Sequence, residues 1–159
     1  MSTTEFQQAE FYGDVLELTS RLFDLARYGD TGTLAGYLDA GAPVNLTNDK
    51  GNTLLMLAAY NGHLPAVVEL LMRGADPDRP NDRGQTPLSG AVFKNQIDII
   101  DLLLQHGADP LTGSPSALET ARFLAKDETT ERLEAHITAA VNQAPPTGMP
   151  EVDRKVGSH

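Results

Sequence analysis

Apolar residues along this chain fall in short bursts at helical spacing, separated by clusters of Gly, Asn and Asp. Leu88, Ala91 and Val92 lie at i, i+3 and i+4 and so share one helical face. After a break at Asn95-Gln96, the residues Ile99, Ile100, Leu103 and Leu104 draw the stripe of a second helix. Thr86-Pro87 opens the first of the pair: Thr supplies a capping hydroxyl, and Pro sits at the first helical position, where a missing N–H leaves no bond unmade. Gly107 ends the second helix as a left-handed cap. Asp82-Arg83-Gly84, ahead of both, is turn chemistry.

This unit recurs. Gly41-Ala42, Gly74-Ala75 and Gly107-Ala108 are spaced by 33 residues, and the same step carries Asn48-Asp49 to Asn81-Asp82, Gly51 to Gly84, Thr53 to Thr86, Leu55 to Leu88 and Ala58 to Ala91. Agreement at so many positions defines a turn–helix–helix repeat. A first helix of roughly two turns is below the ~12–15 residues at which an isolated helix becomes marginal in water. It therefore forms only with its Leu, Ala and Val buried against neighbouring repeats, and the small Ala58, Ala59 and Ala91 allow adjacent helices to approach closely.

The segments Gly51-Asn52-Thr53-Leu54-Leu55, Gly62-His63, Gly74-Ala75-Asp76 and Gly84-Gln85-Thr86-Pro87-Leu88 resemble the ankyrin motif, as does the run Leu103 to Asp109. The resemblance covers about 14–141 and implies an all-α repeat solenoid of ankyrin helix-turn-helix repeats, small and bacterial in type, with short β-hairpin-like turns. Four units are expected, at 14–47, 48–80, 81–113 and 114–141, after an N-terminal extension at 1–13 and before a Pro-rich, disordered tail at 142–159. The outer two are atypical, as terminal repeats that must face solvent are. The first begins with a longer helix. In the fourth, Leu118 follows Leu88 by 30 residues instead of 33, so its turn is three residues shorter.

Composition narrows the function. The chain is 40% hydrophobic and 21% charged, ordinary for a soluble globular protein, and its formal net charge is −10. Such acidity opposes binding to phosphate backbones or anionic lipid. Disulfides, thiolate catalysis and cysteine zinc sites are excluded by the absence of cysteine. No apolar run reaches ~18 residues and no signal peptide is visible, so a cytoplasmic, acidic protein is expected, without nucleic-acid or membrane partners. A phosphate loop is missing, and no nucleophile–base–acid set stands out. His63, within the Gly-His pair, reads as structural; His106 and His136 are single helical histidines; Asp98/Asp101 and Glu128/Glu131 form solvated helix faces. Neither catalysis, nor a cofactor, nor a metal is expected.

What the resemblance implies instead is a protein-binding adaptor, monomeric by default, whose partner contacts the concave side: the turn tips and the exposed face of each first helix. The residues assigned there are Asp49, Lys50, Asn52, Asp82, Arg83 and Gln85 on the turns. On the helices they are Arg27, Tyr28, Met56, Tyr60, Asn61, Ser89, Phe93, Lys94, Arg122 and Phe123. Met56 and Ser89 stand where the family pattern has His, which removes a hydrogen-bonding group that braces the turn. Arg27-Tyr28, Tyr60-Asn61, Phe93-Lys94 and Arg122-Phe123 align at the ends of the first helices, bringing one aromatic per repeat beside basic residues. Two orientations remain open for these rings, facing the groove or packing between repeats. The other function class is a dedicated inhibitor, an immunity- or antitoxin-like protein or an accessory subunit of one enzyme, contacting its target through acidic surface.

Overall fold

The computed structural model describes residues 3–143. Its helices come in pairs: α1 (Thr3–Tyr28) with α2 (Thr31–Asp39), α3 (Leu54–Tyr60) with α4 (Leu64–Met72), α5 (Pro87–Phe93) with α6 (Ile97–Gln105), and α7 (Ala117–Phe123) with α8 (Asp127–Gln143). The first members pack side by side as one layer in the order α1, α3, α5, α7, and α2, α4 and α6 form a second layer behind it. The shared core is the expected one. Leu22, Leu34, Leu54, Leu55, Leu70, Leu88, Ile99, Ile100, Leu103 and Leu133 are at most 2% exposed, and Ala58, Ala59, Ala91 and Ala121 are fully buried between neighbouring helices.

Local chemistry sets each start. Thr53 caps α3 by accepting from Met56 N, and Thr86 caps α5 with Pro87 in its first turn. Ser116 caps α7, with Glu119 reaching back to the Ser116 N–H in a reciprocal box. The loops joining the two helices of each pair turn through a left-handed residue: Gly29, Gly62, Asn95 and Ala125, all at one repeat position, have φ of 77°, 78°, 59° and 51°. His63 fulfils the structural reading: its Nε2 lies 2.8 Å from Arg27 O of the preceding unit, with the imidazole seated over Gly29, where a Cβ would come within 2.4 Å of the ring.

Two boundaries differ from expectation. Helix α1 runs unbroken through residue 13, so the described part of the extension belongs to the first unit; Val15 and Leu18 continue the stripe of Leu22 and Leu25, and a single Gly13 costs only about 1 kcal/mol of helix propensity. Helix α8 continues through Gln143, two residues into the expected tail, and residues 1–2 and 144–159 lie outside the described residues. Helix α8 is tied back by Arg132, whose Nη1 donates to both carboxylate oxygens of Asp101 of α6, at 2.7 and 2.9 Å. In the second layer Arg73 bridges Glu69 and Asp39, and the hydrogen bonds it donates to these carboxylates hold its pKa above the usual guanidinium value.

Successive units are also stitched at the rear turns. Asn45 Oδ1 accepts from Asp76 N, and one repeat later Asp78 Oδ1 accepts from Asp109 N, both at 2.8 Å. The second stitch carries a charge the first lacks. Burial, followed by the nearby Asp109 and Asp76 carboxylates, raises the Asp78 pKa above 3.8, partly offset by its hydrogen bond from Asp109 N. The folded chain thus holds this proton to higher pH than the unfolded chain does. Its contribution to stability is complete below about pH 3.8 and is lost as pH rises through the raised value. Asp78→Asn keeps the acceptor, as Asn45 shows, and removes the charge. Thermal melts are expected to show stabilisation at pH 7 of no more than about 1 kcal/mol after solvent screening. That gain should vanish below pH 3.8. A variant destabilised at neutral pH would contradict this account.

Candidate partner-binding groove

The turn before each first helix projects as a finger. In units two and three a single Asn organises it: Asn48 Oδ1 accepts from Lys50 N and Asn52 N, and Asn81 Oδ1 accepts from Arg83 N and Gln85 N, all at 3.0 Å. The fingers then bond to one another, Asp82 N donating to Lys50 O at 3.1 Å and Asn81 Nδ2 to Asn52 Oδ1 at 2.9 Å. Backbone bonding of this kind leaves Asp49, Lys50, Asp82 and Arg83 with solvent-exposed side chains at the tips.

Between the fingers and the ends of the first helices runs a depression of about 860 Å3. Of the residues assigned from sequence, it is lined by Arg27, Asp49, Lys50, Asn52, Met56, Tyr60, Asn61, Asp82, Arg83, Gln85 and Phe93. Asn48, Leu57, Asn81 and Gly90 complete the wall. The motif positions of Asn48 and Asn81, repeating at the turn, were the signal for two of these. A second, mostly apolar cleft of about 590 Å3 adjoins at Gln85, Ser89, Phe93 and Phe123, with Pro115, Glu119, Thr120 and Leu124. Continuing the 30-residue register of the last unit along its helix finds these four.

The rings at the ends of the first helices both pack between repeats and face solvent. Arg27, Tyr60, Phe93 and Phe123 occupy one repeat position at the ends of the first helices. The Tyr60 and Phe93 rings stack across repeats, with centroids 6.4 Å apart and planes 9° from parallel. Phe93 nevertheless remains 55% exposed and Phe123 88%. Lys94 Nζ sits 5.2 Å from the Tyr60 centroid, a cation–π contact on the same ridge.

Five assigned residues fall differently. Tyr28 stands one position out of register with the other rings and lines neither depression. Arg122 is turned onto Glu134 of α8 at 2.6 Å, and it too lines neither. Lys94 reaches the groove only through the Tyr60 ring. Met56 and Ser89 are 5% and 4% exposed, so they support the wall more than they present a surface. Met56 fills space against Gly90 of the next repeat, where an added Cβ would lie 3.0 Å from its Cε. Ser89 restores the brace that the absent His would supply: its Oγ accepts from Thr86 N and donates to Thr86 O, both at 2.9 Å, while Thr86 Oγ1 accepts from Ser89 N.

Among the described residues, no three His, Asp or Glu side chains converge as a metal cluster, and no helix is long and apolar enough to cross a membrane. A family model for ankyrin repeats, in three copies, matches residues 22–113, more than half of the chain. A Pseudomonas aeruginosa protein named as an ankyrin repeat protein is 44% identical over 64 residues, 40% of this chain and 37% of that protein, so the match spans little more than a third of the relative's length. The repeat register, paired helices and stacked fingers of this chain agree with the family model, and the chain is a member of the ankyrin repeat family.

Proposed function

We propose that this chain is a non-enzymatic, cytoplasmic and monomeric interaction module that holds a partner protein in its concave groove, and that the contacted face of the partner is acidic and partly apolar. Ankyrin repeats are in general protein-interaction modules. The observation that carries the finer reading is how the cations are distributed. Arg73, Arg122 and Arg132 are each paired with carboxylates of the protein itself, as is Arg27 at the first-unit end of the groove. Lys50 and Arg83 at the fingertips, and Lys94 beside Tyr60, have no carboxylate partner among the described residues, although the chain as a whole carries −10. Unpaired cations beside exposed rings are the residue types from which binding hot spots are built. Charge of opposite sign on a partner would steer its approach and set its register.

The test is capture of a co-purifying partner by the full-length protein. Lys50→Glu with Arg83→Glu, both on exposed side chains, is expected to weaken capture by at least about tenfold, and Tyr60→Ala with Phe93→Ala by a similar factor, with folding checked by circular dichroism. Capture undiminished by both folded double variants would end the groove assignment. The second reading, a dedicated inhibitor of one enzyme, is favoured by the acidic row of Asp76, Asp78 and Asp109 along the rear turns. It requires a single tight enzymatic partner whose binding is lost on neutralising that row and survives the groove substitutions.

A further inference from the structure

The fourth turn is where this stack departs from its own repeat. In unit two, five residues separate the bridged pair Thr47 and Thr53; in unit four, only Ser114 and Pro115 separate Gly113 from Ser116. No finger therefore projects beyond the one at Arg83, and the groove opens at this end into the apolar cleft between Phe93 and Phe123. Its one carboxylate, Glu119, is turned onto the Ser116 N–H at 2.9 Å. Exposed rings at Phe93 and Phe123, with Pro115 and Leu124 between, leave a contiguous apolar patch on a strongly acidic protein, and such patches mark binding surfaces. A cleft of about 590 Å3 is within the range of roughly 300–1,000 Å3 that holds organic groups the size of side chains and larger.

Resting on the groove reading above, we infer that the cleft takes the apolar anchor of an extended peptide segment of the partner, an aromatic or large aliphatic side chain. That segment also carries carboxylates to one side, which meet Arg83 and Lys50. The spacing follows from the stack. Adjacent helices lie about 8–10 Å apart, so Arg83 and Lys50 stand roughly half and one and a half repeat steps from the centre of the cleft. An extended chain advances about 3.3 Å per residue, which places the carboxylates about one to five residues from the anchor. The partner is thus a linear segment with an apolar end and an acidic end, and charge complementarity with the two unpaired fingertip cations fixes its direction.

The immobilised full-length protein is panned against a display library of random linear peptides, and the affinity of the most enriched peptide is measured by fluorescence anisotropy. Enriched sequences are expected to pair Phe, Tyr, Trp, Leu or Met with Asp or Glu about one to five residues to one side. Phe123→Ser, at an 88% exposed position, should lower affinity at least about tenfold. Lys50→Glu with Arg83→Glu should do the same, and a peptide with Lys in place of its carboxylates should regain binding to that charge-reversed protein, a rescue that misfolding would not give. The inference is overturned if no peptide is enriched, if the enriched peptides lack the apolar residue, or if Phe123→Ser changes nothing. It is equally overturned if light scattering shows a dimer that Phe123→Ser dissociates, making a second copy the occupant, or if Met149→Ser with Val152→Ser raises peptide affinity, making residues 144–159 the occupant. Protein capture that fails with Lys50→Glu and Arg83→Glu but survives Phe123→Ser would sink the cleft while leaving the groove reading intact.

Discussion

Leu88→Ala is expected to lower the unfolding free energy by about 3–4 kcal/mol, the middle of the range for a fully buried Leu cut to Ala. Leu88 is 0% exposed. It lies on α5, which packs against α3 on one side, α7 on the other and α6 behind. A repeat stack holds together through its nearest-neighbour interfaces, so a cavity here weakens two interfaces at once. Since domains of this size are stable by only about 5–15 kcal/mol in total, the loss is a large fraction of the whole. Urea titration followed by circular dichroism should show the transition moved well toward low denaturant. Leu133→Ala makes the control: this residue is equally buried, but on α8, at the end of the stack. Hydrogen exchange should there show the last unit opening while α3 to α6 stay protected. A loss below about 1 kcal/mol in Leu88→Ala would mean that the first-helix layer is not the continuous core described.

Gly84→Ala should cost about 2–3 kcal/mol, although it removes nothing. Gly84 has φ of 76°, and a Cβ there would lie 2.7 Å from Ser114 O, a backbone atom fixed by the Ser114 N–H bond to Gly84 O at 2.9 Å. Two penalties add: the left-handed conformation costs roughly 1–2 kcal/mol for an L-residue, and the contact must be relieved by moving the short fourth turn. A smaller opposing term, about 0.4–1 kcal/mol, comes from the lower entropy of the unfolded Ala chain. Gly74→Ala separates the contributions. It has φ of 82° with nothing within 4 Å of the added Cβ, so it carries the conformational cost alone, about 1 kcal/mol. Paired denaturation curves read the difference directly. Equal losses in the two variants would show that the finger–turn contact is soft. Because Gly84 and Pro115 belong to the two turns that flank the apolar cleft, Gly84→Ala should also weaken peptide binding there.

Residues that act within their own unit were legible without coordinates. The Thr86 cap, the Pro87 start, the left-handed Gly107 and the helix break at Asn95-Gln96 all depend on neighbours a few positions away, and each is where the pattern put it. Its 33-residue step also disclosed the order of units and the shortened fourth turn. Harder to read were side-chain partnerships that helical spacing does not prescribe. Arg122 shares its helix end with Phe123, yet its guanidinium is drawn to Glu134 of α8. Ser89, a departure from the family motif, turned out to be the brace of the turn through Thr86, which one extra hydroxyl hydrogen bond explains and spacing does not. Helix α1 crosses the expected boundary at residue 13 because no proline or cap interrupts it.

The sequence by itself determined a stack of ankyrin units, the helix starts and stops of its two full repeats, and most residues of the core, because a repeated pattern states the same local physics several times over. Only the tertiary structure decided how its surface is used. It stacked Tyr60 on Phe93, paired Arg122 and Arg132 with carboxylates, left Lys50 and Arg83 without them, and opened the cleft beside Phe123. Those outcomes depend on which side chains of separate helices meet, some of them, as Arg132 and Asp101, 31 residues apart along the chain. Helical periodicity carries the face a residue belongs to, and the direction its side chain finally takes is set by the partner that folding brings within reach.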